Sequence, residues 1–436
     1  MLAEKEPLTY RKIFIFWIPL AATWLMMAAE RPILAAVIAR LADPTFNLVA
    51  FQFAYSFGIF IEAPVIMLMS ASTALVKNRD SYIKLRNFSF TLIAICTFVM
   101  LIFVTPPVFY FIAQRLVKLP EDVARLAHQA FLFLLPWPGA IGYRRLYQGI
   151  LIRSNLTRRV AYGTVIRFTT MAGVALACCR FFPLDGAKVA TLSLSLSVLA
   201  EAVACRIMVH NAVKQVLSKE LDAQTDKPLS YRYITKFYYP LALTSVIGLA
   251  VDPALTLSMG RSRMPIESMA VWPMIGALVF LFRSAGLAFQ EVEIALLGKD
   301  NKHFRKLRNF ALFLGIGAVC GLSLITFTPL SHIWFHKIEG LSLELTQFAR
   351  LPAQIMSILA GLTVLISFQR ALLVKNEKTV PITIATSIEV TVIVMVLLFT
   401  VAGLNLIGAV AAAIAMVIGR LCANTYLFIP CRSVLK

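Results

Sequence analysis

The chain contains twelve apolar stretches, each long enough to cross the roughly 30 Å hydrocarbon core of a membrane as a helix. Lipid offers no hydrogen bonds, so a crossing segment must satisfy its own backbone, which favours helices over loops or open strands. The expected stretches are 13–40, 47–76, 88–113, 124–152, 160–181, 188–210, 234–259, 266–297, 309–331, 343–373, 380–402 and 406–430. They predict an all-α membrane protein.

Composition supports a membrane location. The 436 residues are 59% hydrophobic and only 15% charged, against roughly 25% charged in soluble domains. One compact core cannot hide that much apolar surface from water. The net charge of +20 could indicate nucleic-acid binding, but no aromatic-basic RNA or DNA motif accompanies it. We therefore expect membrane lipid around the chain and no nucleic-acid partner.

The basic residues lie mainly in the short segments between apolar stretches. Segments 77–87, 153–159 and 298–308, which should share one side of the membrane, are rich in Lys and Arg. Segments 114–123 and 332–342, on the other side, carry far less net positive charge. This positive-inside pattern predicts a multi-pass protein of the plasma (inner) membrane with both termini in the cytoplasm.

Parts of the sequence recur at an offset of about 221 residues. Residues 17–21 (WIPLA) match residues 238–242 (YYPLA), and residues 85–88 match residues 307–310, both reading LRNF. Landmarks that share one offset indicate two copies of one structural unit.

Six spans in each copy give both copies the same orientation, so we expect parallel rather than inverted repeats. The match extends to Gln148 and Gln369. The predicted organisation is an N-lobe over 1–210, a cytoplasmic linker over 211–232 and a C-lobe over 233–436, six helices in each lobe.

Ionisable side chains inside apolar stretches are costly in hydrocarbon, so each is a candidate for function. Four of them form two repeat-related sets in which the sign of the charge reverses. Arg31 corresponds to Asp252, and Glu62 corresponds to Arg283. If the lobes face each other across a wet chamber, these opposite charges would line its walls.

A third set, Arg167 with Glu389, needs one residue of slippage. For all three sets two interpretations stay open: ion pairs that hold the bundle in register, or side chains that bind substrate or a coupling ion. Glu30 points about 100° away from its charged neighbour and is the best carboxylate for proton or cation coupling. Glu291 and Glu293, near the end of the eighth stretch, are expected to be solvated.

Other charges are harder to assign. Arg144 and Arg145, in the fourth stretch, either reach towards the cytoplasm along their apolar stems or form a vestibule that attracts anions. Glu201 and Arg206 are five residues apart, an awkward spacing for a pair on one helix face. These two residues and Arg420 could be structural or could line a cavity.

Prolines occupy equivalent positions in the first and seventh stretches. Pro19 corresponds to Pro240, and Pro32 corresponds to Pro253. Each removes a helical hydrogen bond and favours a kink whose freed carbonyls can face a cavity. We expect these four prolines to act as hinges, with static kinks as the alternative.

Several function classes lack their motifs. The seven cysteines contain no Cys-x-x-Cys pair, and His332 with His336 lacks a third metal ligand nearby. There is no phosphate-binding loop for ATP and no hydrolase arrangement. The expectation is a transporter that is not an enzyme, needs neither cofactor nor metal, and is driven by an ion gradient.

Four short motifs carry a resemblance to a known family. They are Ile18-Pro19-Leu20, Phe53-Ala54-Tyr55-Ser56, Gly149-Ile150-Leu151 and Tyr239-Pro240-Leu241-Ala242-Leu243. With Glu30, they resemble the progressive ankylosis (ANK) family of the MATE-like multidrug/oligosaccharidyl-lipid/polysaccharide (MOP) exporter superfamily. The resemblance implies V-shaped lobes, alternating access and export of small polyvalent anions, with Glu30 as a matching acidic position. Asp252 departs from it, because the family has a basic residue there.

The leading hypothesis is therefore a secondary-active exporter of a small organic or phosphate-containing anion of the pyrophosphate, citrate or nucleotide kind. Arg31, Arg283, Arg144 and Arg145 would contact the anion, since guanidinium groups pair well with carboxylate and phosphate. Glu30, Glu62 or Asp252 would carry a coupling proton or sodium ion. The alternatives are a MATE-type antiporter of organic cations and a flippase of lipids or lipid-linked sugars. A monomer is expected.

Overall fold

The chain is helical in the part that the structure, a computed structural model, describes: residues 8–154, 156–219, 229–298, 301–376 and 378–435. Within these ranges, strand-like pairing is limited to one bridge between Arg263 and Ile407. The predicted all-α fold class is confirmed.

We number the α-helices of the described ranges in chain order. The first ten are α1 Tyr10–Ala28, α2 Glu30–Ile38, α3 Pro44–Ile66, α4 Leu68–Leu75, α5 Arg79–Val104, α6 Pro106–Tyr110, α7 Glu121–Leu132, α8 Trp137–Arg153, α9 Thr157–Phe181 and α10 Gly186–Met208. The others are α11 His210–Leu217, α12 Tyr231–Leu249, α13 Val251–Gly260, α14 Pro265–Leu296, α15 Phe304–Phe327, α16 Leu330–His332, α17 Leu343–Lys375, α18 Val380–Leu398 and α19 Gly408–Leu435. Short π-helical segments follow α6, α16 and α18.

Eleven helical segments of the described chain are long and apolar enough to cross a membrane, one fewer than expected. The difference lies in the predicted stretch 124–152, which is divided into α7 and α8 by a turn over 133–136. Pro136 and Pro138 cannot donate backbone hydrogen bonds, so the helix is interrupted beside them. The chain is thus a multi-pass membrane protein with a broken fourth segment.

The repeat predicted from sequence recurs in the local backbone. Asp43 and Met264 directly precede α3 and α14, and both adopt the left-handed conformation, with φ of 45° and 56°. Positive φ is uncommon for residues other than glycine. Its occurrence at the two matched positions shows that the copies share this turn as well as their helices.

The four expected hinge prolines fall into two classes. The first and seventh membrane segments are each interrupted, at Ala29 between α1 and α2 and at Ala250 between α12 and α13. Pro32 and Pro253 follow these breaks by three residues, where a proline prevents the hydrogen bond of a continuous helix. The other two prolines, Pro19 and Pro240, lie inside α1 and α12. That any of them bends during transport stays a prediction.

The chain forms two compact units that differ from the expected lobes in the placement of two segments. The C-unit comprises Met1–Ala39 and Ser258–Lys436, and the N-unit comprises Arg40–Leu257. The first membrane segment therefore packs with the C-terminal half of the chain, and most of the seventh packs with the N-terminal half. The expected linker 211–232 begins with α11, and its residues 220–228 lie outside the described ranges.

One matched pair of hydrogen bonds holds the exchanged segments. In the C-unit, the Trp17 indole N–H donates to the carbonyl of Ala285 on α14 at 3.1 Å. In the N-unit, the Tyr238 hydroxyl donates to the carbonyl of Pro64 on α3. Both donors and both acceptors are related by the repeat offset of about 221 residues. The same contact is therefore made twice, by each first segment with the second segment of the other sequence half.

We expect Tyr238→Phe to lower the free energy of unfolding by about 1 kcal/mol, because it removes one net hydrogen bond from a buried carbonyl. The ring itself stays in place against Phe88, 5.4 Å away between centroids. The matched control is Tyr239→Phe, since that neighbouring side chain is 64% exposed. Denaturant unfolding of the protein in detergent measures both. Equal stabilities for the two variants would contradict this role of Tyr238.

Candidate functional site

The N-unit buries a cluster of charged side chains, which we call the N-cluster. Its members are Glu62 from α3, Arg144 and Arg145 from α8, Arg167 from α9, and Glu201 from α10. Glu201 is its centre, with a side chain only 1% exposed. Arg144 forms an ion pair with its Oε2, and Arg167 Nη1 lies 3.9 Å from the same oxygen. Two guanidinium groups therefore converge on one carboxylate.

The other oxygen of Glu201 is also engaged. Gln148 donates through Nε2 to Glu201 Oε1 at 3.0 Å. In the C-unit, the repeat partner Gln369 donates in the same way, but to the backbone carbonyl of Asn424 at 3.0 Å. Each amide thus ties the fourth membrane segment of its repeat to the sixth.

Glu62 and Arg145 are the less saturated members of the N-cluster. Glu62 is buried close enough to Arg144, Arg145 and Arg167 to interact with them electrostatically. Its Oε2 has no hydrogen-bond partner among the described residues. Arg145 donates to the sulfur of Met69 at 3.7 Å, and a thioether is a weak acceptor. The Glu62 carboxylate can therefore still bind a proton, and the Arg145 guanidinium can still donate hydrogen bonds to a ligand.

A glycine sets how deeply α8 enters the N-unit. A Cβ on Gly149 would collide with the carbonyl of Met69 and with Ser72. The absence of a side chain lets α8 approach α4 closely, which brings Arg145 onto the sulfur of Met69. The resemblance motif that contains Gly149 therefore has a direct packing role.

The C-unit contains a corresponding group, the C-cluster. Its members are Arg283 from α14, Thr363 and Arg370 from α17, Glu389 from α18, and Arg420 from α19. Arg420 donates through Nε to Glu389 Oε1 at 2.7 Å, and through Nη1 to the Thr363 hydroxyl at 3.4 Å. Arg283 donates to the same hydroxyl at 3.0 Å. One threonine therefore joins two arginines.

Arg370 extends the C-cluster. Its guanidinium donates through Nη2 to the Thr386 hydroxyl at 3.2 Å, one turn before Glu389 on α18. It lies close enough to Glu389 and Arg420 to interact with both electrostatically. Sequence reasoning missed Arg370, although an arginine inside the apolar stretch 343–373 was a sufficient signal.

The two clusters have opposite signs at corresponding helices. Glu62 on α3 corresponds to Arg283 on α14, each 18 residues after the first residue of its helix. Arg167 on α9 approaches a glutamate of α10, whereas Glu389 on α18 pairs with an arginine of α19. The predicted reversal of sign thus extends to a further pair of helices, α10 and α19, which carry Glu201 and Arg420.

The first set of candidates lies at the breaks in the first and seventh segments. Glu30 is buried and Arg31 half-buried, both in the first turn of α2, and Asp252 is half-buried in the first turn of α13. An acidic side chain in the first turn of a helix is stabilised by the helix dipole. Arg31 belongs to the C-unit and Asp252 to the N-unit, and their facing each other across a chamber stays a prediction.

Arg206 and Glu293 lie in opposite surroundings: Arg206 is exposed and lines an open pocket, whereas Glu293 is buried. Arg206 is exposed, with its guanidinium 5.7 Å from the ring centroid of Tyr147. Glu293 was expected to be solvated and is fully buried, with both carboxylate oxygens lacking hydrogen-bond partners among the described residues. Only Glu291 is exposed, because two residues separate these side chains by about 200° around the helix. Glu293 is therefore a further candidate for proton binding.

No family model matches the chain, and no curated protein matches it. Solved structures do match over nearly its whole length. The lipid II flippase MurJ in an inward closed conformation has a TM-score of 0.70 at 13% identity, over 95% of this chain and 87% of that one. An inward-facing multidrug resistance MATE family transporter of the MOP superfamily has a TM-score of 0.65 at 14% identity, over 96% and 94%.

A MOP superfamily transporter from Pyrococcus furiosus Vc1 has a TM-score of 0.63 at 13% identity, over 96% of this chain and 95% of that one. It is described as having a binding pocket of reverse polarity that suggests a different function. These likenesses show that the chain has the fold of MOP superfamily transporters. The narrower ANK family assignment stays a prediction.

We expect Glu201→Gln to lower the free energy of unfolding by about 3–5 kcal/mol, because it leaves two buried guanidinium groups without their shared counter-charge. Denaturant unfolding in detergent checks this value. The control is Glu121→Gln, whose ion pair with Arg125 is exposed and should contribute nothing measurable. A Glu201 variant as stable as the control variant would show that the N-cluster does not depend on this pair.

Proposed function

We propose that the protein is a secondary-active transporter that exports a small organic or phosphate-containing anion, of the pyrophosphate, citrate or nucleotide kind. The buried arginines would bind the anion, and a proton or cation gradient would drive its movement. Support comes from the fold, which is that of known transporters, and from the charge of the two clusters.

The observation that carries this proposal is that arginines outnumber glutamates among the members of both clusters. The C-cluster contains three arginines and one glutamate, so its formal charge is 3 − 1 = +2. The N-cluster contains three arginines and two glutamates, giving 3 − 2 = +1. An arginine-rich site favours an anionic substrate over a cationic one.

The geometry of the arginines suits such a substrate. Guanidinium groups bind carboxylate and phosphate through two parallel hydrogen bonds, which are stronger than neutral ones. Arg283 and Arg420 converge on the Thr363 hydroxyl, so their side chains are held close together. Two converging forks can hold a polyvalent anion more firmly than a monovalent one. Arg31, Arg144 and Arg145 remain further candidates for contact with substrate.

For ion coupling we favour Glu62. Its carboxylate is buried, faces three arginines and has one oxygen without a hydrogen bond within the described residues. Binding of a proton or sodium ion would change how strongly Glu62 competes with a substrate anion for those arginines. Substrate and coupling ion would then be linked through shared partners. Glu30 and Asp252 are the remaining candidates.

The two alternative functions share the fold, because the structural neighbours include both a lipid II flippase and multidrug MATE transporters. Recognition of an organic cation would require carboxylates available to it. Glu201 and Glu389 are each paired with arginine, and Glu62 lies close to three arginines, so within the two clusters the surroundings favour an anion over a cation. Cytoplasmic termini and a plasma (inner) membrane location, together with a monomeric state, complete the proposal.

We expect Arg283→Gln to reduce anion uptake into proteoliposomes at least tenfold, since one charged hydrogen bond to an anion is worth roughly 1.5–3 kcal/mol. Uptake of labelled pyrophosphate, citrate and nucleotide under a pH gradient measures it, with unfolding curves as the check on folding. The control is Arg350→Gln, an exposed arginine that donates to the Phe327 carbonyl. Unchanged uptake in a folded Arg283 variant would remove this residue from the site.

Glu62→Gln should uncouple transport from the gradient, because glutamine can neither bind nor release the proton. The expected result is downhill anion exchange at a rate that no longer responds to the imposed pH gradient. Glu344→Gln, which alters an exposed glutamate in the first turn of α17, serves as the control and should respond as the wild type does. A Glu62 variant that still concentrates anion under a pH gradient would assign coupling elsewhere.

A further inference from the structure

The C-unit also contains an open groove of about 680 Å³ between α15, α17 and the C-terminal part of α19. Its walls are almost entirely aliphatic and aromatic. Ile316, Leu365 and Phe428 are three of the exposed apolar side chains that line it. On a membrane-spanning protein such a surface meets lipid tails rather than water.

Glycine keeps the middle of this groove open. Gly315 on α15 faces Gly361 on α17, and a Cβ added to Gly315 would lie 3.9 Å from the Cα of Gly361. The contact between the two helices here is flanked by Val364 and Val319. The lining of α15 runs from Phe304 to Cys320, roughly 24 Å at 1.5 Å per residue. This exceeds the roughly 15 Å of hydrocarbon in one leaflet, so the groove can hold an extended acyl chain.

One end of the groove is positively charged. Arg308, in the second turn of α15, and Arg432, in the last turn of α19, both line it and both are exposed. The Arg432 guanidinium lies 4.5 Å from the ring centroid of Phe428, which directs it along the groove wall. No acidic residue is among the described residues that line the groove. The described lining of the groove therefore provides no carboxylate to neutralise Arg308 and Arg432.

We propose that this groove binds an anionic glycerophospholipid, with one acyl chain along the glycine floor and the phosphate-bearing headgroup held by Arg308 and Arg432. The match is one of charge and shape. Basic pockets between membrane helices bind anionic headgroups, and guanidinium forks match phosphate oxygens. A zwitterionic lipid offers the same tail but carries a cation that opposes the two arginines. The site is independent of the transported substrate.

The headgroup assignment is tested by lipid binding to the full chain in detergent, followed by native mass spectrometry with phosphatidylglycerol and phosphatidylcholine of matched chains. We expect phosphatidylglycerol to bind at least tenfold more tightly. The double variant Arg308→Gln/Arg432→Gln should bind both lipids equally. The control Lys302→Gln/Arg305→Gln removes two exposed charges near the start of α15 that do not line the groove, and should keep the preference.

The tail assignment is tested by filling the groove. Gly315→Leu places a side chain in it with only ordinary contacts at the Cβ, whereas Gly317→Leu, on the same helix, points into open space. We expect Gly315→Leu to lose tight binding of phosphatidylglycerol at least tenfold and Gly317→Leu to keep it. Equal binding of the two lipids by the wild type, a preference that survives the double arginine variant, or equal effects of the two leucines would each overturn the proposal.

Discussion

A guanidinium or carboxylate inside a membrane-spanning bundle must find its partner within the protein, because hydrocarbon offers none. In this chain nine charged side chains of the membrane helices form two clusters, one in each compact unit, while the buried Glu30 and Glu293 lie outside them. Glu201 is shared by two arginines in the N-unit, and Glu389 pairs with Arg420 in the C-unit. Removing one partner of such a pair costs more than the pair contributes. The clusters therefore restrict which helices can pack together.

Exchanging the signs of an ion pair leaves its attraction unchanged, so the repeated fold can tolerate opposite charges at corresponding helices. The two clusters differ in the number of glutamates that they contain. The C-cluster contains one glutamate and the N-cluster contains two, and Glu62 in the N-cluster occupies the position of Arg283. In the proposed function, the C-cluster would mainly hold the anion and the N-cluster would mainly respond to the coupling ion. The fold alone requires neither role.

Much of the fold could be predicted from the sequence, because apolar length and a constant offset are local properties. Three features of the fold could not be predicted from these local properties. The broken fourth segment depends on how Pro136 and Pro138 act within an otherwise apolar stretch. The exchange of first and seventh segments depends on contacts such as that between Trp17 and Ala285, whose sequence separation carries no signal. Glu293 is buried because it lies on the buried face of α14. Its position near the end of the predicted stretch had instead suggested exposure to solvent.

The candidate site could be predicted only in part. Intramembrane position singled out most of the charged residues, but sequence gave no means of pairing Arg420 with Glu389 or of including Arg370. In the proposed function, the arginines of the two clusters recognise an anion. Calorimetric titration of the purified full chain with pyrophosphate, citrate and a nucleotide, and with tetraphenylphosphonium as an organic cation, tests it most directly. We expect saturable binding of at least one anion, weakened by salt, and no binding of the cation. Saturable binding of the cation without any anion binding would contradict it.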